Sequence, residues 1–361
     1  MKQFLSLFIK RCKWHYVLLF ICLLYIFLTK SIPSWGAFYA HTLYIPIARL
    51  LFWFSSWFPF ALGDLFIACS LLGTLFYPFY AHYRLQRKMW TIVRHVVLFL
   101  LWIYVWFYLA WGLNYYQPNF YERTGINSVA YNDTLLIGFA EKYIMELNAS
   151  YVQPKSIDRE KVSRLIQKSY EQLEENSGIH RPFHPQMRPK TMVFSSLASK
   201  VGVQGSMGPF FCEFTLNSAL LPENYPFSVA HEMAHVLGIT SEAEANFYAY
   251  LLCTSSSDRV LRYSGYYALL SYVLRNVQSA LGNEAYHGLL SKVRPEILKA
   301  KAGEQQYWKD KYSPVIGSIQ NYFYDFYLKQ HRVDGGIKNY SYVIGLLLSY
   351  EQHQEELRKL S

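Results

Sequence analysis

Three apolar runs occupy most of the first 113 residues and constrain this chain more than any other feature. Trp14–Leu28 contains no Lys, Arg, Asp or Glu, Ala61–Tyr80 contains only Asp64, and no such residue occurs between Arg94 and Glu122. A helix of about 20 apolar residues spans the hydrocarbon core of a bilayer. In lipid only a helix or a closed barrel satisfies its own backbone polar groups. We therefore expect a membrane anchor over residues 1–114, with transmembrane helices near 14–30, 61–80 and 95–113.

Charge supports the same division. Residues 1–116 hold +9 of the formal net charge of +10, with Asp64 their only acid, whereas residues 117–361 are almost neutral. A nucleic-acid-binding domain gathers its cations on a folded surface. Here they flank apolar runs, so the expected partner is the lipid bilayer and no nucleic acid. Lys and Arg collect at cytoplasmic span ends. Lys2, Lys10, Arg11 and Lys13 precede the first run, and Arg84, Arg87, Lys88 and Arg94 separate the second from the third, against only Lys30 and Arg49 between the first and second. The N-terminus and second hinge are thus expected inside, and everything after about residue 114 outside, with Trp111, Tyr115 and Tyr116 as an interfacial aromatic belt.

Two alternatives stay open. The first run could be a cleaved signal peptide, although no A-x-A site follows it. Tyr44–Phe58, bounded by Pro46 and Pro59, could lie in the interface or form a fourth span, which would put the large domain in the cytoplasm. Asp64 reads either as a functional intramembrane acid or as a helix N-terminal residue favoured by the dipole.

Residues 115–361 read as one water-facing domain, mainly helical with a small sheet, an α+β fold long enough to bury a core. Asp158–Glu175 has helical periodicity, and 178–190 is a proline-rich loop. Thr191–Ser195 and Phe210–Leu216 read as strands, separated by turns at Gly202, Gly205, Gly208 and Pro209. Helical patterns dominate from Pro226 onward. Of five cysteines only Cys212 and Cys253 fall in this domain, too few for a disulfide framework or a cysteine-based zinc site, though one bridge between them is possible.

The chemistry concentrates in PFSVAHEMAHVLG, residues 226–238. Pro226 suits a first helical position and Gly238 a position just past the end. Residues four apart share a helix face, so His231 and His235 point toward one metal ion with Glu232 beside them as a general base. Zinc takes such nitrogen ligands and needs a third protein ligand plus an open position for catalysis. The apolar flanks mark a core helix, where unpaired His and Glu side chains would be costly. A second helix opens at Ser241-Glu242-Ala243-Glu244. With Ser241 as N-cap, Glu244 closes a capping box and Glu242 is free to reach the metal; the alternative makes Glu244 the ligand. Asn246, four residues after Glu242, could hydrogen-bond a ligand or be simply a polar helix residue.

H-E-x-x-H followed by Glu242, Ala245 and Asn246 as E-x-x-A-N resembles the gluzincin class of zinc metallopeptidases. The chain is also similar to a family of uncharacterised bacterial membrane proteins that join N-terminal spans to this motif. That similarity extends over Phe60–Asp64, Gly208–Pro226, His231–Cys253, Tyr263–Gly265, Tyr324–Lys329 and Asp334-Gly335. The resemblance implies a zincin-like fold, Zn²⁺ on His231, His235 and Glu242, Glu232 as base, and a peptide or protein substrate at a bacterial cytoplasmic membrane. Only six residues separate His235 from Glu242, fewer than in many gluzincins. In such enzymes an edge strand binds extended substrate, which suggests that role for Phe210–Leu216, the alternative being an ordinary strand. Tyr266, Tyr267, His331 and Tyr340 are eligible oxyanion donors; His180 and His184 are not expected to be ligands. The expected function is peptide-bond hydrolysis by a metal-activated water; the alternative is a non-catalytic membrane sensor or assembly protein with a peptidase-like metal-binding domain.

Overall fold

The computed structural model describes residues 14–129, 132–174, 176–318 and 340–360. The basic N-terminus through Lys13, Tyr324–Lys329, His331 and Asp334-Gly335 lie outside the described residues, and of Tyr340 only the backbone is described. The chain divides into two units: one takes in the chain to Phe58, Leu62–Pro118 and Gly208–Cys212, the other Pro59–Ala61, Asn119–Met207 and Glu213–Ser361.

Among the described residues the first unit has three helices long and apolar enough to cross a membrane: α1 (Trp14–Ser31), α3 (Leu62–Tyr83) and α4 (Met89–Ala110). Between α1 and α3 the backbone is helical from Pro33 through a π-helical stretch at Tyr39–Leu43 into α2 (Tyr44–Ser56), a run of about 36 Å that reaches the hydrocarbon thickness. Helix α4 starts and stops earlier than the charge pattern suggests. Lys88 caps it in an extended conformation, and at its other end Trp111 leaves helical space at φ −155° before a tight turn over Gly112–Tyr116. Asp64 lies in the first turn of α3, where the helix dipole favours an acid. Lys30, near the end of α1, donates to the Tyr104 hydroxyl at 3.1 Å and sits 3.8 Å from the Tyr108 ring centroid. Gly208–Cys212 joins this unit through aromatic packing. Phe210 lies 4.8 Å from Phe66, ring to ring, Phe211 lies 6.3 Å from Phe54, and Trp106 Nε1 donates to the Phe210 carbonyl at 2.8 Å.

The second unit is mostly helical with a three-stranded sheet in the order β1 (Lys190–Thr191), β3 (Glu213–Leu216), β2 (Gly205–Gly208). β1 runs parallel to β3 with Lys190 opposite Thr215. Every residue of β3 is buried, and Glu213 is tolerated there because Lys190 Nζ reaches its carboxylate at 2.7 Å. This corrects the reading of Phe210–Leu216. The strand is only Glu213–Leu216, and both of its neighbours are strands, so it cannot take up an added chain. The edges are β1 and β2.

Helices α5 (Asp133–Ser150) and α6 (Arg159–Glu171) precede the sheet, the latter capped by Asp158 on the Lys161 N–H at 2.9 Å. After it come α7 (Tyr225–Val236), α8 (Glu242–Thr254), α9 (Arg259–Leu290, interrupted at Gly282), α10 (Pro295–Lys311) and α11 (Tyr340–Leu360). Helices α7, α8 and α9 pack on one another, and α7 also packs on β3. The core around them is aromatic, with Phe214, Tyr170, Phe247 and Tyr248 all at most 2% exposed. Cys212 and Cys253 are buried and form no disulfide, so the possible bridge between them is not made.

Candidate metal centre

Two helix ends build the site. Helix α7 has Pro226 in its first turn and ends at Val236, and Gly238 follows at φ 98°, a left-handed conformation glycine adopts without a Cβ clash. The chain reverses there, and Ile239 N–H bonds back to the Ala234 carbonyl at 3.1 Å. The same turn places the Ile239 carbonyl 2.7 Å from His235 Nδ1. A carbonyl can only accept, so Nδ1 carries the proton, and the neutral ring presents a bare Nε2 lone pair. One helical turn earlier, His231 Nδ1 lies 2.9 Å from Asn246 Oδ1 on α8, which fixes that ring in the same sense.

The two Nε2 atoms stand 3.1 Å apart. Glu242, the first residue of α8, brings Oε2 to 3.2 Å from His231 Nε2 and Oε1 to 3.8 Å from His235 Nε2. One ligand atom from each of the three residues thus falls within 4.8 Å of the others, the one such group of His, Cys, Asp or Glu among the described residues. Lone pairs and a carboxylate this close repel unless a proton or a metal ion lies among them. Burial disfavours the imidazolium, but Glu242 and Glu232 outweigh it and push His235 up to about 9. Partial desolvation by the surrounding helices acts against the Glu242 carboxylate, and the two imidazoles overcome it to hold that carboxyl well below the usual range. Two imidazoles with their outer nitrogens anchored, plus a carboxylate, form a donor set that fits zinc. The side chain of Glu242 is 55% exposed against 15% and 8% for the two histidines, so the cluster is open on the Glu242 side.

Glu232 occupies the next position of α7. It is 6% exposed, and its carboxylate makes no hydrogen bond to any described residue. Burial raises its carboxyl above the usual range, against the pull of His231 and His235, as suits a proton acceptor working near neutrality. β2 lies directly against it. A Cβ added to Gly205 would stand 2.7 Å from Glu232 Cγ and closer still to Oε1, so only a glycine lets the strand and the carboxylate share this space.

Glu244 is turned away from the cluster. Its carboxylate pairs with Arg123 from the short helix Phe120–Thr124, both side chains being under 10% exposed. Ser241 Oγ accepts from the Glu244 N–H at 3.3 Å, but Arg123 takes the carboxylate that would have closed the capping box. Arg123 Nε also donates to the Gly178 carbonyl at 2.9 Å, and the Tyr248 hydroxyl donates to the Ser177 carbonyl at 2.7 Å, so α8 is tied to the 178–190 loop. The alternative in which Glu244 replaces Glu242 as ligand is therefore not realised.

Residues 39–348 match the sequence profile of a family described as a protein of unknown function, DUF3810. The chain belongs to that family. The DUF3810 match takes in α3 and α4, β2 and the whole cluster from His231 to Asn246, and its description names no activity. No curated protein and no solved structure matches the chain.

In this DUF3810 member Tyr266, Tyr267 and His184 have partners outside the cluster. Tyr266 packs against Tyr143 and Tyr250, with ring centroids 5.4 and 5.6 Å away, and Tyr267 lies under the Lys301 ammonium at 3.7 Å. His184 Nδ1 accepts from the Gln186 N–H at 3.1 Å within its own loop. Three contributors have no signature in the motif itself. The Ile239 carbonyl is backbone, Gly205 reads as one of several turn glycines, and Arg123 precedes Glu244 by 121 residues.

Proposed function

We propose that this chain is a membrane-anchored zinc metallopeptidase of the gluzincin type, with His231, His235 and Glu242 holding Zn²⁺ and Glu232 as general base. The convergence of two outward-locked Nε2 atoms and one half-exposed carboxylate beside a buried carboxylate without a hydrogen bond carries this reading. Zinc bound there would supply Lewis acidity toward a carbonyl and a water. Glu232 takes the proton of the attacking water as the new C–O bond forms and returns it to the departing amine as the C–N bond breaks. The edge strand β2, lying against Glu232, is where an extended peptide would add. The open Glu242 side favours a catalytic over a closed structural site. We place the chain in a bacterial cytoplasmic membrane with the second unit outside, on the distribution of Lys and Arg around the apolar helices.

The test uses the full chain in detergent, assayed for zinc content and for hydrolysis of a peptide library. Glu232→Gln should keep zinc and abolish hydrolysis; His231→Ala should lose zinc. Undiminished hydrolysis in Glu232→Gln would overturn the mechanism, and absence of zinc from the wild-type protein after zinc loading would overturn the metal site.

A further inference from the structure

A cavity of about 650 Å³ in the same unit as the His–Glu cluster lies between α9, α10, the loop after α5 and the approach to α7. Its tyrosines are Tyr151, Tyr263, Tyr267 and Tyr307, and its charged lining is Glu223, Glu296 and Glu304 with Lys299. None of these belongs to the His–Glu cluster.

Around this cavity one arrangement recurs, a cation held between a glutamate and a tyrosine face. Lys301 bonds Glu304 at 2.9 Å and lies 3.7 Å from the Tyr267 ring centroid. Arg294 bonds Glu296 at 3.1 Å and lies 4.6 Å from the Tyr151 centroid. Glu304 is further fixed by Asn224 Nδ2 at 2.5 Å. The third combination is Glu223 with Tyr263, and here no described residue supplies a bonded cation. Lys301 feels the Glu223 charge but bonds Glu304 instead. Glu223 is half-buried and has neither ion pair nor hydrogen bond to a described residue. Tyr263 is 1% exposed, wedged between Tyr151 at 5.6 Å and Tyr267 at 5.3 Å, and its hydroxyl likewise has no hydrogen bond to a described residue. A half-buried carboxylate without a bonded cation, beside a tyrosine hydroxyl that reaches the cavity, suits the N–H groups of a cation, which the carboxylate and the hydroxyl oxygen can both accept. Because Lys301 and Arg294 already cover faces of Tyr267 and Tyr151, stacking of a sugar ring is disfavoured, whereas an alkyl stem along the tyrosines is not.

We propose that this cavity is a binding site for a lysine- or arginine-type side chain of a polypeptide: Glu223 pairs with the charged group, the Tyr263 hydroxyl accepts one of its hydrogen bonds, and the tyrosine rings cover its stem. The proposal stands whether or not the chain hydrolyses peptides, since its test reads binding alone. The full-length protein in detergent is titrated with Nα-acetyl-arginine methylamide, Nα-acetyl-lysine methylamide, agmatine and Nα-acetyl-norleucine methylamide, followed by ligand-observed NMR. The arginine and lysine amides should bind and the norleucine amide should not. Glu223→Gln, close to isosteric, should weaken the arginine amide about tenfold or more, and Tyr263→Phe about threefold. Equal binding of the norleucine amide, or an unchanged affinity in Glu223→Gln, would overturn the site. Agmatine binding more tightly than the arginine amide would overturn its assignment to a polypeptide side chain in favour of a free amine.

Discussion

Replacing Asn246 by Leu tests the metal centre without any knowledge of a substrate. Asn246 Oδ1 is the acceptor that holds His231 Nδ1–H at 2.9 Å. Asn246 is 8% exposed and the His231 side chain 15%, so water has little room to replace it. Leu keeps the volume and removes the acceptor. The His231 N–H then stays unsatisfied in a buried site, at about 1–3 kcal/mol, or the proton moves to Nε2 and blocks the ligand atom. In metal affinity this is about 5- to 150-fold, which brackets the roughly 10- to 100-fold typical of lost outer-shell partners. Asn246→Asp keeps an acceptor on the same stem and should stay within about threefold of wild type or bind more tightly. The assay is zinc competition against a chromogenic chelator at fixed pH, on full-length protein in detergent, with thermal melts to show that each variant is folded. A folded Asn246→Leu protein with wild-type zinc affinity would refute the claim that this hydrogen bond sets the ring.

Gly205→Ala forces a Cβ against Glu232 Cγ and Oε1. A displacement near 1 Å should cut hydrolysis about 100-fold while zinc content stays at wild type; loss of zinc would show that the strand supports the ligands instead. Burial acts against the Asp258 carboxylate, yet Lys161 at 2.7 Å and the N–H groups of Leu261 and Val260 hold its carboxyl below the usual range. Its stabilising effect is therefore present above the unfolded value near pH 4 and is lost as the pH falls through the lower folded value. Asp258→Ala should cost about 0.5–2 kcal/mol at neutral pH, and the gap in melting temperature from wild type should close on acidification; a gap that persists in acid would refute the pairing. For orientation, alkaline phosphatase fused after Ser361 should be active and a green fluorescent protein fusion dark in bacterial cells, and the reverse would put the second unit in the cytoplasm.

What could be read from residues alone follows from how local each determinant is. The apolar runs of α1, α3 and α4 announce themselves because lipid demands uninterrupted hydrophobicity, and the ends of α7 because Pro226 and Gly238 act through their own backbones. Ser241 is legible as an N-cap for the same reason. The ends of α4 are not, since its stop depends on the backbone of Trp111 rather than on a charge, and its start at Met89 leaves Arg94 inside the helix. The misplaced edge strand has a different cause. Phe210 and Phe211 have high strand propensity, yet their rings find better partners in Phe66 and Phe54, so packing distant in sequence overrides local preference. Gly205 fails as a signal because a glycine needed for close approach looks the same in sequence as a glycine needed for a turn.

Glu242 and Glu244 show how far such local logic reaches. Two residues apart at the start of one helix, both gain from the dipole, and the capping box assigns the second one a role that leaves the first free. That assignment brings Glu242 to the two histidines for an incomplete reason. Ser241 does bond the Glu244 N–H, but the Glu244 carboxylate leaves the box for Arg123, in a pair where both side chains are under 10% exposed. A buried carboxylate that lost this partner would be an uncompensated charge, a cost of about 3–5 kcal/mol, whereas an exposed box bond contributes about 1 kcal/mol. Because breaking the buried pair costs more than forgoing the box bond, Glu244 turns inward to Arg123. The same difference makes the two acids non-interchangeable: Glu244 cannot substitute for Glu242 at the histidines without abandoning Arg123, so Glu242→Ala should lose zinc with no rescue from its neighbour, and retention of wild-type zinc affinity in that variant would show that the buried pair is weaker than its burial implies.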